Sequence, residues 1–271
     1  MNYTYIDIHS HLNLPEFDAD RADVIEKLKT SNIATITVGV DFESSKKAIL
    51  LADQNENLYA CVGLHPADNV KEEFVLEEYK KLAEHKKVVA IGETGLDYFR
   101  LPENKNESEN IVNKQKEIFK KHIELAITIA KPLMIHARPS KGSMDAYMDV
   151  LDILEAYKLT PKDKQLVVNF HFFVGNIDVA KRVVESGHTV SFDGPITFTT
   201  EYDEVIKYLP LENIMAETDA PFAAPVPYRG KRCEPSYVVE VYKKIAEIKG
   251  LDPEIVRLQI NQTARRVFSV V

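Results

Sequence analysis

The chain has 271 residues, of which 45% are hydrophobic and 28% charged, with a formal net charge of -8 at pH 7. That length buries a substantial core, and the composition is that of a folded globular protein rather than a disordered one. The acidic balance excludes a protein that coats nucleic acid through bulk electrostatics, but not an enzyme acting on a phosphodiester, since bound divalent cations reverse the potential of a carboxylate-rich pocket.

The first element is a β-prone run, Tyr3 to Leu12, that closes on His9 and His11. Extended spacing puts Asp7, His9 and His11 on one face, and two imidazoles on one rigid edge make half of a metal site. Phe17 to Thr30 has helical spacing, with Val24, Ile25 and Leu28 as its apolar stripe. Ile33 to Gly39 reads as a buried strand and Ser44 to Gln54 as a helix. A third apolar run, Leu58 to Val62, meets Gly63-Leu64-His65-Pro66 and is followed by a helix over Lys71 to His85. The fourth, Val88 to Ile91, runs into Gly92-Glu93-Thr94-Gly95-Leu96-Asp97.

Residues 100–112 are polar and turn-rich, and are expected to form a surface excursion. A long helix is predicted over Asn113 to Ala130, a strand over Pro132 to His136, and a helix from Met144 to Tyr157. Leu166 to His171 is the sixth strand. Helix Ile177 to Ser186, strand His188 to Phe192, helix Glu201 to Tyr208 and strand Asn213 to Glu217 continue the alternation, and helices Ser236 to Ile248 and Pro253 to Phe268 end it.

Eight strands alternating with helices, with no composition break, predict a single-domain α/β fold over 1–271, a TIM-type (β/α)8 barrel. A doubly wound sheet is the alternative, because periodicity does not show closure. No apolar stretch approaches the roughly 20 residues that cross a bilayer, and the start MNYTYIDIHS lacks the regions of a signal peptide. Cys61 and Cys233 match no paired-cysteine zinc spacing and suit a reducing compartment. A cytoplasmic monomer without membrane association or an obligate protein partner is therefore expected.

In a barrel, groups at the carboxyl ends of the strands meet across one mouth. Those groups here are His9 and His11, His65, Glu93 and Asp97, His136, His171, and Glu217 and Asp219. All nine bind or orient divalent metals, or act as bases, so their recurrence at one end points to a metal-centred site. Neutral imidazoles hold borderline metals, and a shared carboxylate bridges two ions that activate water and stabilise charge on a substrate oxygen. Such a site is hydrolytic.

The segments Asp7-Ile8-His9-Ser10-His11-Leu12, Gly63-Leu64-His65-Pro66, Gly92 to Tyr98, Pro132 to His136 and Glu217-Thr218-Asp219-Ala220-Pro221 resemble those of the TatD family of metal-dependent deoxyribonucleases, among the amidohydrolase-like barrels. The similarity extends through Gln115 and Asn261 to Phe268. It implies one cation held by His9, His11, Glu93 and Asp219, and a second by Glu93, His136 and His171. Mg²⁺ or Mn²⁺ is expected, and the ligand types also accept Zn²⁺, Ni²⁺ or Co²⁺.

The resemblance further implies a catalytic set of Asp219, Glu93 and Glu217, with Asp219 the base toward the attacking water and Glu217 tuning it. His65, Asp97, Arg138 and Arg229 are expected to grip substrate, and Tyr98 and Phe99 either to stack on a base or to pack the excursion. The implied reaction is exonucleolytic hydrolysis of DNA, with single-stranded or frayed ends preferred. An amidase, lactonase or phosphotriesterase on the same frame, or a non-catalytic metal-binding scaffold, are the competing readings. The chain departs from the family pattern at Phe172 and Val174, where a small residue and a serine are commoner, at Cys233, and at Pro139 to Ser143. These loops bear on substrate preference.

Overall fold

A computed structural model describes residues 3–67, 72–157 and 166–270. Eight parallel strands pair in chain order: β1 (Tyr5–Ser10), β2 (Ile33–Val38), β3 (Leu58–Val62), β4 (Val88–Asp97), β5 (Leu133–Arg138), β6 (Val168–Phe170), β7 (Thr189–Phe192) and β8 (Ile214–Ala216). Between and after them run α1 (Arg21–Thr30), α2 (Phe42–Gln54), α3 (Leu76–Ala83), α4 (Lys105–Ile129), α5 (Asp145–Ala156), α6 (Ile177–Glu185), α7 (Asp203–Tyr208), α8 (Val238–Lys249) and α9 (Pro253–Phe268). Strand side chains alternate between two buried layers, which is why the strands read as nearly continuous apolar runs. One layer joins Ile33, Leu58, Ala60 and Val62 to helical residues such as Leu28, Ala48 and Ala52. The other gathers Ile8, Ile36, Ala90, Met134 and Met215 from across the sheet, with Phe268 of α9 packed against them.

The two ends of the sheet meet, which decides for a TIM-type barrel over an open doubly wound sheet. Ser10 bridges Ala220 in parallel, the His11 N–H donates to the Ala220 carbonyl at 2.7 Å, and the Asp219 N–H donates to the His9 carbonyl at 2.9 Å. Asp7 clasps this seam with its buried carboxylate. Its carboxylate accepts from the Thr218 N–H (2.9 Å), the Thr218 hydroxyl (2.8 Å), the Thr35 hydroxyl (3.2 Å) and the His9 N–H (3.3 Å). Asp7 thus serves closure, and the expected common face with His9 and His11 does not form, because the β1–β2 register shifts between Asp7 and Ser10.

Several boundaries differ from the sequence expectation. Pro15–Phe17 is a 3-10 turn and α1 begins only at Arg21. The predicted helix start at Lys71 lies outside the described residues, and α3 begins at Leu76. The polar excursion is half helix: Asn104 caps α4 by accepting from the Glu107 N–H, and Lys105 to Val112 form its first turns. β4 runs on through Gly92 and Gly95 to Asp97, beyond the apolar run that ends at Ile91. A Cβ at Gly92 would collide with the Met134 carbonyl oxygen, and one at Gly95 with that of His136, so these glycines allow β5 to approach. Among the described residues no helix is long and apolar enough to cross a membrane.

Candidate metal centre

The centre sits where strands end and register breaks. Register shifts fall between Asp7 and Ser10, around His9, and between Ile91 and Thr94, around Glu93. Such irregularities re-aim a side chain that regular pleating would turn elsewhere. Asp219, just after β8, has φ of 52°, a left-handed conformation that Asp tolerates better than bulkier residues. This brings its carboxylate to 3.2 Å from His11 Nε2 and 3.6 Å from His9 Nε2.

Glu93 divides the site. Its Oε2 lies 3.5 Å from His9 Nε2 and 3.8 Å from His11 Nε2, while its Oε1 lies 2.7 Å from His171 Nε2 and 2.9 Å from His136 Nδ1. His9, His11 and Asp219 form one group of converging ligand atoms, and Glu93, His136 and His171 another. Two further groups, His9 with His171 and Glu217 and His65 with Asp97 and His136, overlap these.

Three histidines are held from behind by an acceptor. His11 Nδ1 faces the Val38 carbonyl at 3.0 Å, His171 Nδ1 faces Glu217 Oε1 at 3.3 Å, and His136 Nε2 faces Asp97 Oδ2 at 3.2 Å. Each acceptor keeps the proton on that nitrogen by accepting its hydrogen bond, so in the neutral ring the other nitrogen turns a lone pair inward. Lone pairs of His171 and His136 then meet a carboxylate oxygen at hydrogen-bond distance, and His9 and His11 bring their Nε2 atoms within 3.1 Å. Only positive charge between them, as protons or cations, makes this arrangement favourable. The donor set therefore fits divalent cations.

Electrostatics agree. Burial alone would raise the Glu93 carboxyl, but His171, His65 and His136 outweigh it and hold it well below the usual range. Burial opposes charge on His171, and Glu93 and Glu217 override it, pushing this imidazole well above its ordinary value. His136 is raised against burial by Asp97 and Glu93. Protons and cations compete for the same positions.

The remaining expected site residues divide. His65 lines the cavity above the cluster; its Nδ1 accepts from the Ala67 N–H at 3.1 Å, so Nε2 carries the proton and donates toward Glu93 Oε1 at 3.4 Å. Arg138 also lines the cavity, its guanidinium stacked 4.2 Å from the Phe99 ring. Glu217 is fully buried behind His171, accepting also from the Phe172 N–H (2.6 Å) and the Ser191 hydroxyl (2.6 Å). Asp97 is likewise buried, its carboxylate taken up by His136 and the Phe99 N–H, and it does not line the cavity. Tyr98 packs in the core and donates its hydroxyl to Asp149, which removes it as a base platform. Arg229 stacks on Phe198 at 4.1 Å and does not line the cavity. Sequence reasoning passed over Arg100 and Phe222, which do line it, and singled out Phe172, also in the lining, only as a departure bearing on substrate preference. Arg100 is hidden in a polar stretch, and its signal was its spacing from Asp97, 3.6 Å away in space.

A family model described as TatD related DNase matches residues 6–269. The chain belongs to the TatD family. Within it, the chain is 36% identical over 269 residues to an uncharacterized metal-dependent hydrolase, YabD, of Bacillus subtilis, covering 97% of this chain and 98% of that protein. It is 34% identical to the uncharacterized metal-dependent hydrolase TatD of Mycobacterium tuberculosis, over 98% of both. The crystal structure of YjjV, a TatD homologue from Escherichia coli, superposes with a TM-score of 0.87 at 24% identity over the whole of both chains. A TatD family hydrolase from Entamoeba histolytica gives 0.79 at 20% identity over the whole of both chains, again a likeness of fold. This TatD protein is thus a metal-dependent hydrolase by family, with several candidate clusters for the metal.

Proposed function

We propose that this protein is a metal-dependent deoxyribonuclease that removes nucleotides from single-stranded or frayed DNA ends, using two divalent cations placed on either side of Glu93. The observation that carries the reading is the divided carboxylate, with Oε2 toward His9 and His11 and Oε1 toward His136 and His171. His9, His11, Glu93 and Asp219 would hold one cation, and Glu93, His136 and His171 the other. When bound, such a pair lowers the pKa of water and neutralises charge on a phosphoryl oxygen.

The chain's own groups supply the rest. Asp219, partly exposed at the cavity, orients the attacking water and takes its proton. Glu217 has no free face toward substrate and acts as a positioning residue, fixing the tautomer and angle of His171. Arg100 and Arg138 line the cavity and would offer hydrogen-bond donors to an anion there, beside His65, whose Nε2–H faces Glu93. A recessed site of this kind accepts a splayed terminal nucleotide and not a stacked duplex. A cytoplasmic location belongs to the same reading, supported by two buried free cysteines, and a monomeric state is proposed with it.

The test is a chelator-stripped preparation assayed on 5′- and 3′-labelled single-stranded DNA, before and after Mg²⁺ or Mn²⁺ is restored. Nucleotide release that returns only with the cation is expected. Turnover confined to a parallel panel of lactones, amides and phosphotriesters overturns the nuclease reading.

A further inference from the structure

We propose that Phe172 is a stacking wall that makes the cavity selective for a nucleobase attached to the phosphate, a reading that rests on the nuclease function above and narrows its substrate. Phe172 follows the candidate ligand His171 and has φ of 45°. This left-handed region is used freely by glycine, and a bulky side chain there is an outlier. The reason for the turn is visible: it directs the Phe172 N–H at Glu217 Oε1, 2.6 Å away, the same oxygen that faces His171 Nδ1. A glycine would supply that N–H without strain. The aromatic ring at this position therefore has a purpose of its own.

The ring is not spent on the core. The next residue, Phe173, fills that role, 2% exposed and edge-on to Tyr147 and Phe192. Phe172 instead lines the cavity, perpendicular to His171 at 6.4 Å between ring centres. On the side of the first cluster Phe222, half exposed, lies edge-on to His11 at 6.2 Å. Two rings thus flank the ligands, and Arg100 and Arg138 line the same cavity of about 590 Å³. A flat apolar surface beside a grip for an anion is the chemistry that recognises a nucleotide, and the volume lies within the range of small-ligand sites. A bare sugar phosphate leaves the ring facing water.

The experiment is an equilibrium titration of the Mn²⁺-loaded protein with dAMP and with 2-deoxyribose 5-phosphate, the same molecule without its base. About tenfold tighter binding of dAMP is expected, as for base stacking on an aromatic side chain. Phe172→Ala should reduce dAMP to the level of the sugar phosphate and leave the sugar phosphate unchanged; Phe172→Tyr should keep the preference. Phe172→Gly should lose the preference without lowering Tm, because it relieves the left-handed backbone, and this separates stacking from structural support. Wild-type protein that binds both ligands alike, or neither, overturns the proposal, as does a Phe172→Ala variant weakened equally for both. Nucleotide release from single-stranded DNA by the same preparations reads the nuclease function separately. A base preference without DNA hydrolysis would sustain Phe172 as a stacking wall and defeat the nuclease; hydrolysis without a base preference would do the reverse.

Discussion

Asp97 and His136 meet through Oδ2 and Nε2 at 3.2 Å, and Asp97 is itself fixed by the side chain of Gln115. The Gln115 amide oxygen accepts from the Asp97 N–H at 3.0 Å, and its NH₂ donates to the Asp97 carbonyl at 3.1 Å. A side-chain amide on α4 thereby replaces a strand partner at the end of β4. The result is a relay of rigid contacts, from α4 through Asp97 and His136 to Glu93, that aims His136 Nδ1 before any cation arrives.

Asp97→Asn should expose that relay. The substitution preserves shape but removes the charge that holds the His136 Nε2 proton, and loss of such a supporting acceptor costs roughly 10–100-fold in metal affinity. Calorimetric titration of stripped protein should show one cation equivalent weakened by that factor and the other unchanged. Equal weakening of both would mean that His136 does not belong to a separate cluster.

Glu93→Gln tests the shared carboxylate. A neutral amide offers one oxygen and no charge, so neither cluster keeps its bridging ligand. Metal analysis after gel filtration should fall from two equivalents to one or fewer, whereas His171→Ala should empty only one position. Two retained equivalents in Glu93→Gln would remove the bridge from the scheme.

Much of this was legible in the sequence because imidazoles and carboxylates recur at the ends of apolar runs, and a parallel barrel collects those ends. That pattern gathered nine groups at one mouth, and the family resemblance singled out His9, His11, Glu93, His136, His171 and Asp219 among them. What the sequence hid lies in three-dimensional register. Gly92 and Gly95 lay beyond the apolar run ending at Ile91, and their use, close approach of the Met134 and His136 backbone, depends on a strand some 40 positions away. Asp97 was expected to grip substrate and Glu217 to tune Asp219, and only the packing of neighbouring strands shows that His136 and His171 occupy them. Arg229 and Tyr98 read as groups of the mouth, yet Phe198 and Asp149 supply local partners that spacing does not reveal.

Asp7 should matter for stability and not for chemistry. Four donors converge on a fully buried carboxylate at the barrel seam. Burial pushes its pKa well up, while Thr218 and His9 oppose that shift. Asp7→Ala strands these donors in the interior, at about 3 kcal/mol or more in total, since each unsatisfied buried group costs about 1–3 kcal/mol. A lowered urea midpoint with an unchanged m-value is the expected outcome. An unaltered midpoint would show that the β1–β8 seam holds without the clasp.

His122 gives the fold a dependence on pH that is independent of the metal ligands. It is fully buried on α4, donates from Nδ1 to the Ile118 carbonyl at 2.9 Å, and accepts at Nε2 from the Leu64 N–H at 3.0 Å, with the Phe74 ring packed 4.1 Å away. Burial lowers its pKa from 6.5 to about 4, the carbonyl of Ile118 opposing only in part. Because the folded value is depressed, the unfolded chain binds the proton first as pH falls. The neutral His122 thus contributes fully above pH 6.5, and the contribution is lost between there and about pH 4. A difference of about 2.5 units at 1.36 kcal/mol each is about 3 kcal/mol over that window. His122→Gln keeps one donor and one acceptor without a titratable proton. Urea unfolding of both proteins at pH 7, 5.5 and 4 should show the variant less stable at pH 7 and the gap narrowing as pH falls, with all other titrating groups cancelling in the difference. A gap that stays constant across the three values would mean that His122 takes up its proton without opposing the fold.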